Sequence, residues 1–118
     1  MDVKLNKAFE QMRSKAKELG YTGVMGIAQK HDDGELSLHV RECGMAYNDD
    51  CNFYGIVCGK IFEMVRTGKP SGTLAPLLGE FENFIGGTFA GNYYVAFSGA
   101  PCEIDLEIAE LGLSVLVD

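Results

Sequence analysis

The chain has 118 residues and a net charge of −7, with 47% hydrophobic and 23% charged side chains. That is the size and composition of one globular domain, able to fold without a disulfide or metal staple. Residues 100–118 carry Glu103, Asp105, Glu107, Glu110 and Asp118 with no base, and an acidic surface repels the phosphates of nucleic acid and anionic lipid.

At the N-terminus, Leu5, Phe9, Met12, Ala16 and Leu19 recur at helical spacing with charges between them, and Gly20 is a stop signal. A helix is predicted over about 4–19. The stretch has no apolar signal core, and no apolar run in the chain approaches the roughly 20 residues of a membrane helix. A cytoplasmic protein is expected, with Cys43, Cys51, Cys58 and Cys102 as thiols. No CxxC pair supports a zinc site.

Gly23 to His31 is an apolar run ending in Asp32-Asp33-Gly34, and Leu36, Leu38 and Val40 then alternate with Ser37, His39 and Arg41. Two antiparallel strands follow, joined by a tight Asp-Gly turn of type I′. Asp49 or Asp50 is the expected cap of a second helix reaching about Thr67, with Phe53, Ile56, Val57, Ile61 and Val65 inside and Gly68 at its end. Residues 73–78 suggest a short helical turn. Glu80 to Phe89 reads as a third strand weakened by Gly86-Gly87, and Tyr93 to Ser98 as a fourth. Ser98-Gly99-Ala100-Pro101 opens a last helix with Ile104, Ile108 and Leu111 as its stripe and Gly112 as its end. The apolar tail 113–117 is expected to pack on the core or on a neighbouring subunit. This is an α+β domain spanning 1–118, with helices on both faces of an antiparallel sheet of four or five strands.

Several of these residues form an ordered pattern. Gly91, Ser98-Gly99, Asp105, Ala109 and Gly112 lie in the last third; Arg41, Gly44 and Ala46 follow the second strand; Lys60 and the turn Gly68-Lys69-Pro70-Ser71-Gly72 belong to the second helix and its exit. Across about residues 5–113 the set resembles the GlcG/HbpS-type family, small domains described as haem-binding or haem-degrading. The resemblance implies a profilin-like three-layer fold, homo-oligomers, and haem or a related planar small molecule as ligand. It departs at Gly86-Gly87-Thr88-Phe89, where family members usually have a proline, so the ligand does not carry over with the fold.

Haem needs an axial ligand and a flat apolar slot. His39 is the candidate iron ligand, lying beside Ser37 and Arg41, and Arg41 could meet a propionate. A structural histidine is the plainer alternative. His31, beside the turn, reads as solvated. Gly55 and Gly59 could leave a flat face for a planar molecule or permit close packing on a strand. The amides after Ser98 and Gly99 could hold an anion, but Glu103 and Asp105 favour capping there. Cys43, Cys51 and Cys58 could act as thiolate ligands or as small buried hydrophobes. Glu80 and Glu82 share a strand face and could bind a cation or simply be solvated.

The chain has no Gly-x-Ser-x-Gly elbow, phosphate loop or His-Glu-x-x-His. Two histidines leave few groups for acid–base work near neutral pH. An oligomeric binding protein is therefore expected. The alternatives are a haem-degrading or small-metabolite enzyme and a ligand-free accessory subunit.

Overall fold

A computed structural model describes residues 3–44, 52–71 and 85–117. Within them, three helices flank a four-stranded antiparallel sheet: α1 (Val3–Leu19), β1 (Gly23–Lys30), β2 (Leu36–Cys43), α2 (Phe53–Thr67), β3 (Gly87–Ala90), β4 (Tyr93–Ser98) and α3 (Cys102–Leu116). The α+β class follows directly. No described helix is long and apolar enough to cross a membrane.

The strand order is β2-β1-β4-β3. Two hairpins, β1–β2 and β3–β4, are joined along β1 and β4, where Val24 faces Ser98 and Gln29 faces Tyr93. Successive side chains on a strand point to opposite faces. Met25, Ile27, Val95 and Phe97 therefore meet α1 and α3, through Phe9, Met12, Ile108 and Leu113. Val24, Ala28, Tyr94 and Ala96 meet Val57, Ile61 and Met64 of α2. β1 lies at the centre with both faces covered, which is why its sequence is a continuous apolar run instead of an alternation.

The β1–β2 turn differs from the two-residue type I′ turn expected from Asp33-Gly34. The Gly34 amide donates to the His31 carbonyl at 2.9 Å, and the His31 amide donates to the Glu35 carbonyl at 2.8 Å. Gly34 has φ 89°, so the connection is a three-residue loop closed by a glycine bulge. The Asp33 carboxylate accepts from the Glu35 amide, adding an Asx contact that favours this geometry.

The helix ends also depart from expectation. Asn52 caps α2, its side-chain oxygen accepting from the Gly55 amide at 2.9 Å; Asp49 and Asp50 lie outside the described residues. Gly68 ends α2 in the left-handed region. Gly112 does not end α3, which runs on to Leu116. A β-carbon there would press on Met12, so Gly112 is where α1 and α3 cross. The expected apolar tail is thus the last turn of α3, with Leu113 and Leu116 buried, whereas Leu19 of α1 is exposed. Of the third strand only Gly87–Ala90 is found as strand, and its expected start at 80–84, like the turn at 73–78, lies outside the described residues.

The α2 helix can sit close to the sheet because Gly26 has no side chain: a β-carbon there would fall 2.9 Å from Ile61 Cδ1 and closer still to Val57. Gly26→Ala is expected to destabilise the protein by about 1–3 kcal/mol through overpacking, read as a lower denaturant midpoint with unchanged slope.

Candidate functional site

The buried polar residues Lys60, Glu63, Ser71, Ser98 and Asp105 belong to one corner of the molecule, where α2 ends, β3 begins and β4 turns into α3. Lys60 is 1% exposed and Asp105 5%. Lys60 Nζ donates to Asp105 Oδ2 at 3.0 Å and to the Phe97 carbonyl at 2.5 Å. The second carboxylate oxygen, Asp105 Oδ1, accepts from the Ala100 amide at 3.0 Å. Lys60 thus leaves the helix on one face of the sheet and pairs with the helix on the other.

The pair passes the end of the sheet next to Gly86. A side chain at that position would collide with Lys60 Nζ and the Asp105 β-carbon, and Gly86 has φ 132°. Its carbonyl accepts from the Phe97 amide at 3.1 Å. One residue on, the Gly87 amide donates to Ser71 Oγ at 2.8 Å, tying the exit of α2 to the start of β3. The space a side chain would need is taken by the lysine head group at Gly86 and by Met64 and Ser71 at Gly87.

Burial dominates the electrostatics. It pushes the Asp105 carboxyl up to about 6, against the opposing pull of Lys60 and the Ala100 amide. It pushes the Lys60 ammonium down, with Asp105 opposing. Each group is therefore shifted toward its neutral form, as expected when desolvation exceeds mutual attraction. With both head groups sealed from solvent, this arrangement fastens two layers together and offers no exposed acid or base to a substrate.

The six sequence-predicted site residues do not form one cluster. His39 pairs with Ile27 across the β1–β2 ladder and so faces the α1–α3 side, half-buried and without a hydrogen bond among the described residues. Arg41 shares that face but is engaged by α1: its guanidinium lies 4.4 Å from the Phe9 ring centre, and Nη2 donates to Asn6 Oδ1 at 2.9 Å. Gly55 and Gly59 are on the far side of the sheet. Each lies two residues, or about 200°, beyond a core-facing residue, Phe53 or Val57, so both point away from the sheet. The glycine that permits close packing of α2 on a strand is Gly26.

Ser98 is buried in the β4–α3 turn. Gly99 is pressed on Thr22 and Gly23, leaving no room for a side chain. The Ala100 amide beyond them is taken by Asp105; the N-cap of α3 is Pro101 with no side-chain cap hydrogen bond, so the carboxylate ties the turn before the helix and does not cap α3 as expected. His31 is exposed, with Nε2 2.6 Å from Ser37 Oγ. Cys43, Cys58 and Cys102 are free thiols, and burial raises the pKa of Cys43 and Cys58, which disfavours the thiolate a metal would need. Cys51, Glu80 and Glu82 lie outside the described residues. Among the described residues no three His, Cys, Asp or Glu side chains are grouped to hold a metal ion.

Sequence analysis did not pair Lys60 with Asp105. Their signal was present all the same: Lys60 interrupts the apolar stripe Val57, Ile61, Met64, and Asp105 heads the stripe Ile108, Ala109, Gly112. A charge on a core-facing stripe demands a partner. The chain matches no family model and no curated protein.

Removing one partner leaves the other charge buried and alone. Lys60→Met or Asp105→Leu should each cost about 3–5 kcal/mol, whereas the double change should be neutral or stabilising, as measured by chemical denaturation. The sign of the pH dependence follows from the raised carboxyl. Asp105 contributes stability that is fully present below its ordinary value of 3.8 and is lost as pH rises through about 6. The stability of the wild type relative to Asp105→Asn should therefore fall between pH 4 and pH 7 on that carboxyl titration.

Proposed function

We propose that this chain is a small, non-enzymatic binding domain of the GlcG/HbpS type, profilin-like in fold, cytoplasmic, and active as a homo-oligomer. One observation supports the family reading above the others. Lys60 and Asp105, which carry the resemblance but lie far apart in sequence, bond to each other in the interior, and Ser98-Gly99 lies between the two backbone groups they also engage, the Phe97 carbonyl and the Ala100 amide. Ala109 and Gly112 continue it along α3 into the contact with Met12. The pattern thus has a physical reason to occur as a set. The free thiols of Cys43, Cys58 and Cys102 favour a reducing compartment.

The ligand class is a flat small molecule, with haem as the first to test. Of the residues suggested for haem, His39 alone fits, because its imidazole has no hydrogen-bond partner among the described residues and so keeps a nitrogen for iron. Arg41 is held by Asn6 and Phe9, and Gly55 and Gly59 lie across the sheet. Haem, when bound, would supply a coordinating iron and a large apolar plane. The chain's own part is to present His39 on an edge strand. A ligand-free accessory role is the second reading, favoured by Tyr54 and Phe62, which stand 45% and 63% exposed on α2.

Titrating haemin into the protein should give a saturable Soret shift, lost in His39→Ala and retained in Cys58→Ser. A wild type with no shift would leave the accessory role standing. An unaltered shift in His39→Ala would move the ligand away from β2.

A further inference from the structure

We infer that the outer edge of β2 pairs with the β2 edge of a second copy of this chain, antiparallel about a two-fold axis at Leu38. The inference rests on the homo-oligomer reading above and names the surface that reading leaves open. β2 ends the strand order β2-β1-β4-β3, and no described strand pairs with its far side. The His31 amide donates to the Glu35 carbonyl, and antiparallel pairs alternate between bonded and unbonded. Ser37, His39 and Arg41 therefore bond to β1, while Leu36, Leu38 and Val40 aim their backbone amides and carbonyls outward. Further on, α1 closes the edge: the Arg13 guanidinium donates to the Glu42 carbonyl at 3.1 Å. Edge strands are ordinarily blunted by proline, lysine or a bulge. The stretch Leu36-Ser37-Leu38-His39-Val40 has none of these, and its register with β1 is unbroken.

Self-complementarity identifies the occupant. With Leu38 opposite Leu38 of the other copy, Leu36 faces Val40 and Ser37 faces His39. Leu36, Leu38 and Val40 then each exchange both backbone bonds across the axis. Leu38, which stands 41% exposed, is covered by its own counterpart. Apolar side chains meet apolar ones on the α2 side, where Leu36 and Val40 already pack against the core, and polar side chains meet polar ones on the other. Just outside the ladder, Glu35 of each copy stands across from Arg41 of the other, so opposite charges are in register. Arg41 is already fixed in place by Asn6 and Phe9. Sliding the pair by two residues one way sets Leu36 against Glu42, whose carbonyl is taken by Arg13. Sliding it the other way sets Val40 against Gly34 in the turn. An isologous interface requires a surface that complements itself, and the register centred on Leu38 supplies it.

Sedimentation velocity over a nanomolar to micromolar series tests the assignment, with thermal unfolding confirming that each variant is folded. The wild type should dimerise. Because residue 38 meets itself at the axis, Leu38→Lys and Leu38→Glu should each weaken association at least about tenfold, since like charges facing each other across an interface are strongly unfavourable. An equimolar mixture of the two variants should recover the dimer as a mixed pair. If both variants associate as the wild type does, or if the mixture stays monomeric, this edge pairing is wrong and the homo-oligomer reading survives. A monomeric wild type removes both.

Discussion

The bond between Lys60 and Asp105 is the constraint on which the layering depends. The two cores lie on opposite sides of the sheet, one against α1 and α3 and the other against α2. The lysine stem crosses from one to the other at the end of the sheet, beside Gly86. It joins the middle of α2 to the end of β4 and the first turn of α3, while Ser71 ties the exit of α2 to Gly87. Both groups are driven toward neutrality by burial, so the bond specifies the arrangement of the layers more than it stabilises them.

That constraint also decides where chemistry cannot be. The glycines and polar groups of the β4–α3 turn, which in isolation look like an anion cradle, are occupied by the chain's own carboxylate and backbone. The sheet separates the imidazole of His39 from the small-residue face of α2, so the features that suggested one ligand slot belong to two different surfaces. Among the described residues, the large apolar side chains left exposed include Leu38 on the β2 edge and Tyr54 and Phe62 on α2.

Much of the architecture was legible in the residues. Alternation placed Leu36 and Val40 on one face of β2 and Arg41 on the other, and helical spacing placed Phe9, Met12, Val57 and Ile61 inside. The failures share a cause, which is that local signals were read without their tertiary partners. Gly112 looked like a helix end because a glycine in a helix is unfavourable, until Met12 is seen lying against it. Asn52 was passed over for Asp49 and Asp50 although all three are good caps, and only the backbone decides among them. Lys60 and Asp105 were each ordinary alone; their meaning is a contact between residues far apart in the chain. The candidate site was harder still, since which side of the sheet a helix packs on is set by the connection and not by the helix's own sequence.

The strand order has a consequence for how the molecule assembles. Both hairpins are local and can close within about 1–10 μs. The seam between β1 and β4 joins residues near the start of the chain to residues near its end, and loop closure over that span must precede any reward from pairing. The sheet therefore matures from its two edges toward its middle. Until the seam closes, β1 and β4 each carry a bare, strongly apolar flank, which makes the nascent state more vulnerable to misassociation than the finished one.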